Sequence, residues 1–105
     1  MSTEKAKYGV GQIIHHKIFD YRGVIFDVDP AFAQSDQWYD LMTQSKPAKD
    51  QPWYHVLVDE SDYITYVAEQ NLELDISGTP IQHPDLNKYF SDIDAGIYHP
   101  KRLAN

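Results

Sequence analysis

The sequence predicts a mainly β protein, and three observations lead to that prediction. Residues 8–30 contain two candidate strands joined by a tight turn, and residues 51–72 contain a candidate hairpin closed by Asp-Glu-Ser-Asp. After Asp75 the apolar residues recur at helical spacing instead. We therefore expect a small, strongly bent β-barrel of the SH3-like kind, with a helical or loop insertion and a short C-terminal amphipathic helix. The expected bounds within a single domain of residues 1–105 are 8–74 for the barrel, 31–51 for the insertion and 76–105 for the C-terminal helix and tail.

The first candidate hairpin begins with a strand over residues 12–17 and turns over residues 19–23. In that turn Gly23 can adopt the positive φ that other residues resist. The second strand alternates in character until Pro30, which cannot donate a ladder hydrogen bond. One face of this strand would carry Val24, Phe26 and Val28, and the other face Ile25, Asp27 and Asp29.

The insertion breaks the strand pattern with a short candidate helix. Ser35 can cap this helix, in which Trp38, Leu41 and Met42 fall at i, i+3 and i+4. The chain then returns to β structure in further candidate segments. They run over residues 53–58, 63–68 and 69–74, the last being either a short strand or an edge segment.

Near the C-terminus, Leu86, Tyr89, Phe90 and Ile93 stand at i, i+3, i+4 and i+7. This spacing predicts an amphipathic helix of about two and a half turns that ends at Gly96. A helix this short is marginal alone, so we expect it to pack on its own barrel or on a neighbouring subunit.

The charge of the chain is acidic and unevenly spread. The formal net charge is −7 at pH 7, which repels nucleic acid on average because duplex binding needs cations that neutralise phosphates. Basic residues gather near the two ends of the sequence. An anionic partner would therefore meet the N-terminal strands or the C-terminal tail. The candidate DNA-binding residues lie in the N-terminal part and are Lys5, Lys7, His15, His16, Lys17 and Arg22.

Composition also narrows the class of protein. The chain has no cysteine, which excludes disulfides, thiolate chemistry and cysteine-ligated zinc. It has no run of about 18 apolar residues, and its first residues are polar. We therefore expect a cytoplasmic protein that does not enter the membrane.

The histidines and paired carboxylates predict neither a metal site nor an active site. His15 and His16 are adjacent in a strand and point to opposite faces, so they cannot readily hold one ion. A site in which His55 joins one of these two histidines, with Asp27, Asp29 or Asp59 as the carboxylate ligand, would be unusual for zinc. The carboxylates of Asp27 and Asp29 are more often solubilising charges on a barrel rim than an acid–base pair. We predict no metal ligand, no cofactor, no catalytic residue and no enzymatic activity.

Aromatic residues are dense for a barrel this small. Some must fill the core, while others can form an exposed patch, because tyrosine and tryptophan favour protein interfaces. The rings are interleaved mainly with acidic residues, which favours protein over nucleic acid as the partner. The candidate protein-binding residues are Tyr21, Trp38, Tyr39 and, in a basic and apolar tail, Lys101, Arg102 and Leu103.

Three segments are distinctive in combination. They read Tyr-Arg-Gly-Val-Ile-Phe-Asp-Val-Asp-Pro over 21–30, Pro-Trp-Tyr-His-Val-Leu-Val over 52–58 and Tyr-Val-Ala-Glu-Gln-Asn-Leu over 66–72. In this order they resemble the bacterial heat-shock protein HspQ family, also called YccV-like or hemimethylated-DNA-binding.

The resemblance implies two activities. Members engage the ATP-dependent Lon protease under stress and promote turnover of selected or denatured proteins, and the family also carries the name of a hemimethylated-DNA binder at the replication origin. The acidic net charge and the aromatic residues favour binding to Lon over binding to DNA, so we expect a non-enzymatic Lon adaptor. A DNA-binding regulator is the alternative. Unpaired strand edges and a short terminal helix also predict a homo-oligomer.

Overall fold

Seven β-strands dominate the computed structural model, which describes residues 5–101. Two short α-helices and one 3₁₀ turn complete this part of the chain, and neither helix is long and apolar enough to cross a membrane. In chain order the elements are β1 (Ile13–His16), β2 (Arg22–Asp29), α1 (Asp36–Met42), β3 (Trp53–Val58), β4 (Ile64–Ala68), the 3₁₀ turn (Glu69–Asn71), β5 (Leu72–Leu74), α2 (Leu86–Tyr89), β6 (Phe90–Asp94) and β7 (Ile97–Pro100).

The strands form one antiparallel sheet of five and one hairpin. The sheet has the order β4-β3-β2-β1-β5, and β6 pairs with β7. Strands β4 and β5 are the two edges, and within residues 5–101 no hydrogen-bonded pairing joins them. The mainly β class is confirmed, whereas closure into an SH3-like barrel stays a prediction.

Strands β2 and β3 carry apolar side chains on both faces, so the sheet is covered on both sides. On one side Val24 and Leu57 pack with residues of the C-terminal segment, and on the other Ile25 and Val56 pack with residues of the sheet edges. The first cluster consists of Ile13, Val24, Leu57, Ile81, Phe90 and Tyr98, and the second of Ile14, Ile25, Tyr54, Val56, Val67 and Leu72.

A β-bulge in β2 interrupts the predicted alternation. Ile25 and Asp27 pair with successive residues of β3, which leaves Phe26 as an extra residue. Phe26 packs against the first cluster, whereas Val28 packs against the second. The prediction that Val28 shares a face with Val24 and Phe26 is therefore wrong, because one extra residue shifts the period-two alternation of a strand.

Helix α1 begins where the sequence predicts. Ser35 Oγ accepts a hydrogen bond from Trp38 N–H at 3.0 Å, which confirms the predicted cap. The helix buries none of its residues, and Leu41 and Met42 are 74% and 65% exposed. These two apolar side chains of α1 are therefore available at the surface.

The prediction of a C-terminal amphipathic helix is wrong beyond the first turn of that helix. Helix α2 spans four residues, after which the chain continues as the β6–β7 hairpin. Ala95 and Gly96 have φ angles of 52° and 79°, both positive as a two-residue hairpin turn of type I′ requires. Gly96 therefore turns a hairpin instead of ending a helix. All four residues of the predicted helical stripe still pack in or against the first cluster, so their spacing reflects burial and not helix length.

The hairpin is attached to the main sheet at Gly11. Tyr98 N–H donates to Gly11 C=O at 2.8 Å, and Gln12 forms an isolated bridge with Ile97. Gly11 has a φ of 95°, and a Cβ at this position would overlap the carbonyl oxygen of Tyr98. Only glycine lets the two backbones approach this closely.

Gly23 is needed for space and not for a positive φ. It lies inside β2, where a Cβ would overlap the Val56 side chain and approach Leu57 C=O to 2.6 Å. The positive φ of the β1–β2 turn belongs to Asp20, at 56°. The expectation for Gly23 is thus corrected, because its role depends on the neighbouring strand β3.

Replacing Gly11 by alanine should destabilise the protein by about 1–3 kcal/mol, because the new Cβ must displace the Tyr98 carbonyl. Gly9→Ala is the matched control, since nothing lies within 4 Å of a Cβ at that position. We expect its free energy of unfolding to stay within about 0.5 kcal/mol of the wild type. Urea denaturation measures both variants, and equal stabilities would contradict the close approach at Gly11.

Candidate functional site

An apolar groove lies along β4, at the edge of the main sheet. Helix α1 and the loop after it form one wall, and the β1–β2 turn forms the other. The groove has a volume of about 430 Å³. We call it the edge groove, and its lining includes Phe19, Tyr21, Trp38, Met42, Ile64 and Tyr66.

Packed aromatic rings support the α1 wall. The ring of Trp53 stacks on that of Tyr66 with centroids 5.2 Å apart, and Trp38 meets Tyr66 edge-on at 5.4 Å. Phe32 lies against Trp53 at 5.0 Å, again edge-on. Because Trp53 is buried, these contacts anchor the surface helix to the core and hold Trp38 at the groove.

The opposite wall is joined to the edge strand by a hydrogen bond. The hydroxyls of Tyr21 and Thr65 lie 2.8 Å apart, and burial raises the pKa of the Tyr21 phenol above its ordinary value. The His16 ring stacks on Tyr21 at 5.1 Å and lies 4.8 Å from the ring of Phe19. Phe19 itself is 69% exposed, so its apolar ring is offered at the mouth of the groove.

The edge groove is uncharged within the part of the chain that the structure describes. Its lining contains no lysine, arginine, aspartate or glutamate, and His16 is its one basic side chain. His16 Nδ1 accepts from Ile18 N–H at 3.2 Å and from Phe19 N–H at 3.0 Å, which requires an unprotonated Nδ1. Burial, and then the charge of His15, lowers the His16 pKa, so this ring is neutral.

His15 faces the other side of β1, as the sequence predicts, and is held between two carboxylates. Its Nε2 lies 2.6 Å from Asp20 Oδ1 and its Nδ1 lies 2.8 Å from Glu73 Oε2. These hydrogen bonds, first to Asp20 and then to Glu73, raise the His15 pKa. When His15 is protonated, its positive charge is therefore matched by the two neighbouring carboxylates.

Arg22 is also committed to contacts inside the protein. Its Nη1 donates to Asp59 Oδ2 at 2.9 Å, and its Nη2 donates to the carbonyl of Thr79. Its Nε lies 3.1 Å from Asp75 Oδ1, an ion pair without hydrogen-bond geometry. Arg22 thus ties the start of β2 to the loop after β3 and to the segment that follows β5.

The six predicted DNA-binding residues are therefore not equivalent. Lys7 and Lys17 both meet the 3₁₀ turn through their backbones: Lys7 N–H donates to Glu69 Oε2 and Lys17 N–H donates to Asn71 C=O, each at 2.9 Å. Their side chains and that of Lys5 are exposed and form no ion pair within residues 5–101. His16 is buried, and His15 and Arg22 are paired with carboxylates. The lysines are the cations that remain for an anionic partner.

Two of the predicted protein-binding residues line the edge groove, with Tyr21 on one wall and Trp38 on the opposite wall. Tyr39 lies outside the lining, where its hydroxyl donates to Pro47 C=O at 2.8 Å and the Lys49 ammonium lies 4.4 Å from its ring centre. Lys101 is exposed, and its N–H donates to Tyr89 C=O at 2.9 Å. Arg102 and Leu103 lie outside the described residues.

Sequence reasoning did not select the apolar residues at the rim of the groove. The exposed fractions of Phe19, Met42 and Ile64 are 69%, 65% and 48%. The available signal was an apolar pair, Ile18 and Phe19, in a turn between two strands, where polar residues are usual. Phe19 and Met42 reach the groove beside Ile64 of β4 only through contacts between residues far apart in the chain.

Asp27, Asp29 and His55 form a compact group outside the edge groove. Their ligand atoms all lie within 4.8 Å of one another. Asp29 Oδ2 accepts from Tyr66 O–H at 2.7 Å and lies 3.1 Å from His55 Nε2. Burial, and then this hydrogen bond, raises the Tyr66 pKa, so the phenol stays protonated as a donor. The group thus supports the aromatic wall through Tyr66, and the absence of metal ligands stays a prediction.

Known proteins match nearly the whole chain. The family model described as "Hemimethylated DNA-binding protein YccV like" matches residues 6–97. F-box only protein 21 is similar as well: the Homo sapiens and Pongo abelii proteins are 35% identical to this chain over 95 residues, and the Mus musculus protein is 34% identical. These matches cover 89% of this chain and 15% of each relative, so the chain spans a small part of the relatives' length.

The two adjacent histidines should titrate on opposite sides of the ordinary value of 6.5. His15 should titrate above it, so its ion pairs stabilise the fold fully below pH 6.5 and that contribution is lost as pH rises through its folded pKa. His16 should titrate below it, so its contribution is present above pH 6.5 and is lost as pH falls through its folded pKa.

Imidazole shifts in two-dimensional NMR measure both histidine titrations. The variant Asp20→Asn removes a carboxylate partner from His15 and should lower the His15 pKa while leaving His16 nearly unchanged. Titration of both histidines together near pH 6.5 would contradict their assigned environments.

Proposed function

Because the chain belongs to the YccV-like family, we propose that it acts as a non-enzymatic adaptor in the stress response. It engages the ATP-dependent Lon protease in the cytoplasm and promotes the degradation of selected or denatured proteins. It works as a homo-oligomer, through protein contacts and without a cofactor.

The edge groove is the observation that carries this proposal. Aromatic residues and methionine are enriched at protein interfaces, and charged residues are depleted from interface centres. The groove has this composition: Phe19, Trp38 and Met42 border it and no Lys, Arg, Asp or Glu lines it. A nucleic-acid site would instead need cations facing the ligand. An exposed apolar surface bounded by two anchored walls suits a protein partner.

Hemimethylated-DNA binding is a second candidate function, which the description of the family favours. Lys5, Lys7 and Lys17 are its available cations, because the remaining candidate residues are buried or paired. Contacts from these three lysines would give a logarithmic salt slope of about −2.7. Recognition of the methyl group would further need side chains that reach base edges in the major groove.

Replacing Met42 by glutamate should weaken binding to Lon by about tenfold or more, because a carboxylate would be desolvated in an apolar contact. Leu41→Glu is the matched control, since Leu41 is the neighbouring residue of α1, is similarly exposed and lies outside the groove lining. Its affinity should stay within about twofold of the wild type. Titration of labelled protein with purified Lon at physiological salt measures all three affinities.

An equal loss in both variants would mean that α1 as a whole is needed and that the groove is not the contact. Unchanged Lon binding in both would overturn the groove as the docking site. Degradation of a denatured substrate by Lon, measured with each variant, should fall in the same order as the affinities.

The DNA alternative is tested with hemimethylated, fully methylated and unmethylated duplexes of one sequence. We expect weak binding without a methylation preference at physiological salt, and Lys17→Ala should reduce the magnitude of the salt slope by about 1. Lys17 is the informative position because a change at Arg22 would also leave Asp59 and Asp75 without their ion-pair partner. Tight binding that prefers the hemimethylated duplex would make the DNA function the first choice.

A further inference from the structure

The outer edge of β4 carries backbone groups that the described part of the protein leaves unpaired. In an antiparallel ladder, alternate residues of a strand exchange hydrogen bonds with its neighbour. Val58 N–H donates to Tyr63 C=O at 3.1 Å, and Glu69 N–H donates to Pro52 C=O at 3.0 Å. The odd-numbered residues 63–69 therefore face β3, and the even-numbered residues direct their N–H and C=O groups outward.

Ile64 and Tyr66 are the outward-facing residues at the open part of this edge. Ile64 is exposed and Tyr66 is half-buried, whereas Ala68 is buried. Within residues 5–101 the backbone groups of Ile64 and Tyr66 have no hydrogen-bond partner. Both residues also line the edge groove. A strand edge in this state pairs readily with another extended chain.

We propose that the edge groove binds an extended peptide segment as an additional strand alongside β4, a proposal that rests on the adaptor function above. In strand addition, main-chain hydrogen bonds supply affinity and pockets for alternate side chains supply specificity. The backbone groups of Ile64 and Tyr66 pair with peptide residues two positions apart. Side chains of the peptide alternate between the α1 wall and the wall formed by the β1–β2 turn.

Charge defines the chemistry of this segment. The uncharged lining accepts apolar or small polar residues over the length of β4, about five residues or about 17 Å. Glu60 and Asp62 stand before β4, whereas after it the carboxylate of Glu69 accepts hydrogen bonds from Lys7 N–H and Tyr54 O–H. The segment that fits is therefore uncharged in its middle and basic at the end that lies beside Glu60 and Asp62.

A second copy of this chain is the less suitable occupant. The β4 strand of a second copy is itself bordered by α1 and by the β1–β2 turn, so the walls of the two copies would meet before their β4 backbones could pair. An extended peptide has no such walls and reaches the β4 backbone along the groove.

The test uses the full chain and the labelled probe acetyl-Lys-Lys-Val-Thr-Val-Thr-Val-Lys-Lys-amide. Two further probes carry N-methyl groups either on two valines or on the two threonines. Methylation removes the N–H donor, and only one of these alternating sets points at β4. We expect one methylated probe to bind at least about tenfold more weakly than the parent and the other to bind within about threefold. Equal affinity of all three probes would overturn strand addition.

Amide hydrogen exchange supplies the readout on the protein. On binding the parent probe, the amides of Ile64 and Tyr66 should exchange more slowly, because they gain acceptors. The amides of Thr65 and Val67 are the internal control, since they already face β3. No added protection at Ile64 and Tyr66 would overturn the proposal. Protection without peptide that rises with protein concentration would overturn it in favour of a second copy.

Lon binding measured on the same protein separates the two proposals. If Lon binds with the dependence on Met42 described above while no probe binds, strand addition is wrong and the adaptor function stands. If the probes bind as expected while Lon does not, the peptide site stands and the Lon assignment is wrong.

Discussion

The rest of the structure depends on the burial of both faces of β2 and β3. Each strand alternates apolar residues, so that Val24 and Leu57 face one side while Ile25 and Val56 face the other. A sheet of this kind must be covered twice, because each exposed face would leave apolar surface in water. The C-terminal segment covers one face, and residues from both edges of the sheet cover the other. Within residues 5–101 no segment covers the outer edge of β4, which is where the groove forms.

In the part of the chain that the structure describes, the outer edge of β4 lacks the features that usually protect an edge strand in a small β protein. Edge strands are commonly blunted by charges, proline or bulges, because an open edge invites pairing. Strand β4 has an uncharged sequence, Ile-Thr-Tyr-Val-Ala, and lies between two anchored walls. In the strand addition proposed above, these walls would restrict access to an extended chain that enters along the strand.

The cations of the N-terminal half illustrate how an acidic chain uses its few positive charges. Arg22 holds two aspartates and a carbonyl, and His15 lies between Asp20 and Glu73. Removing the partner of a partly buried charge is costly, so these groups are committed to the fold. Lys46 and Lys49 pair with Asp40 and Asp36, whereas Lys5, Lys7 and Lys17 are exposed and form no ion pair within residues 5–101. This protein therefore has more exposed apolar surface for binding at the edge groove than unpaired positive charge in its N-terminal strands.

The sequence by itself determined strands β1 to β4, the cap at Ser35 and the opposite orientation of His15 and His16, because each follows from residues close together in the chain. It also determined the family, through three segments in a fixed order. Only the tertiary structure decided the bulge at Phe26, the 3₁₀ turn and β5 within residues 69–74, the β6–β7 hairpin and the placement of Tyr21 and Trp38 on either side of β4. In each of these cases the local pattern is compatible with two conformations. Contacts between residues far apart in the chain choose between them, because they decide which apolar side chains are buried and which edge is left open.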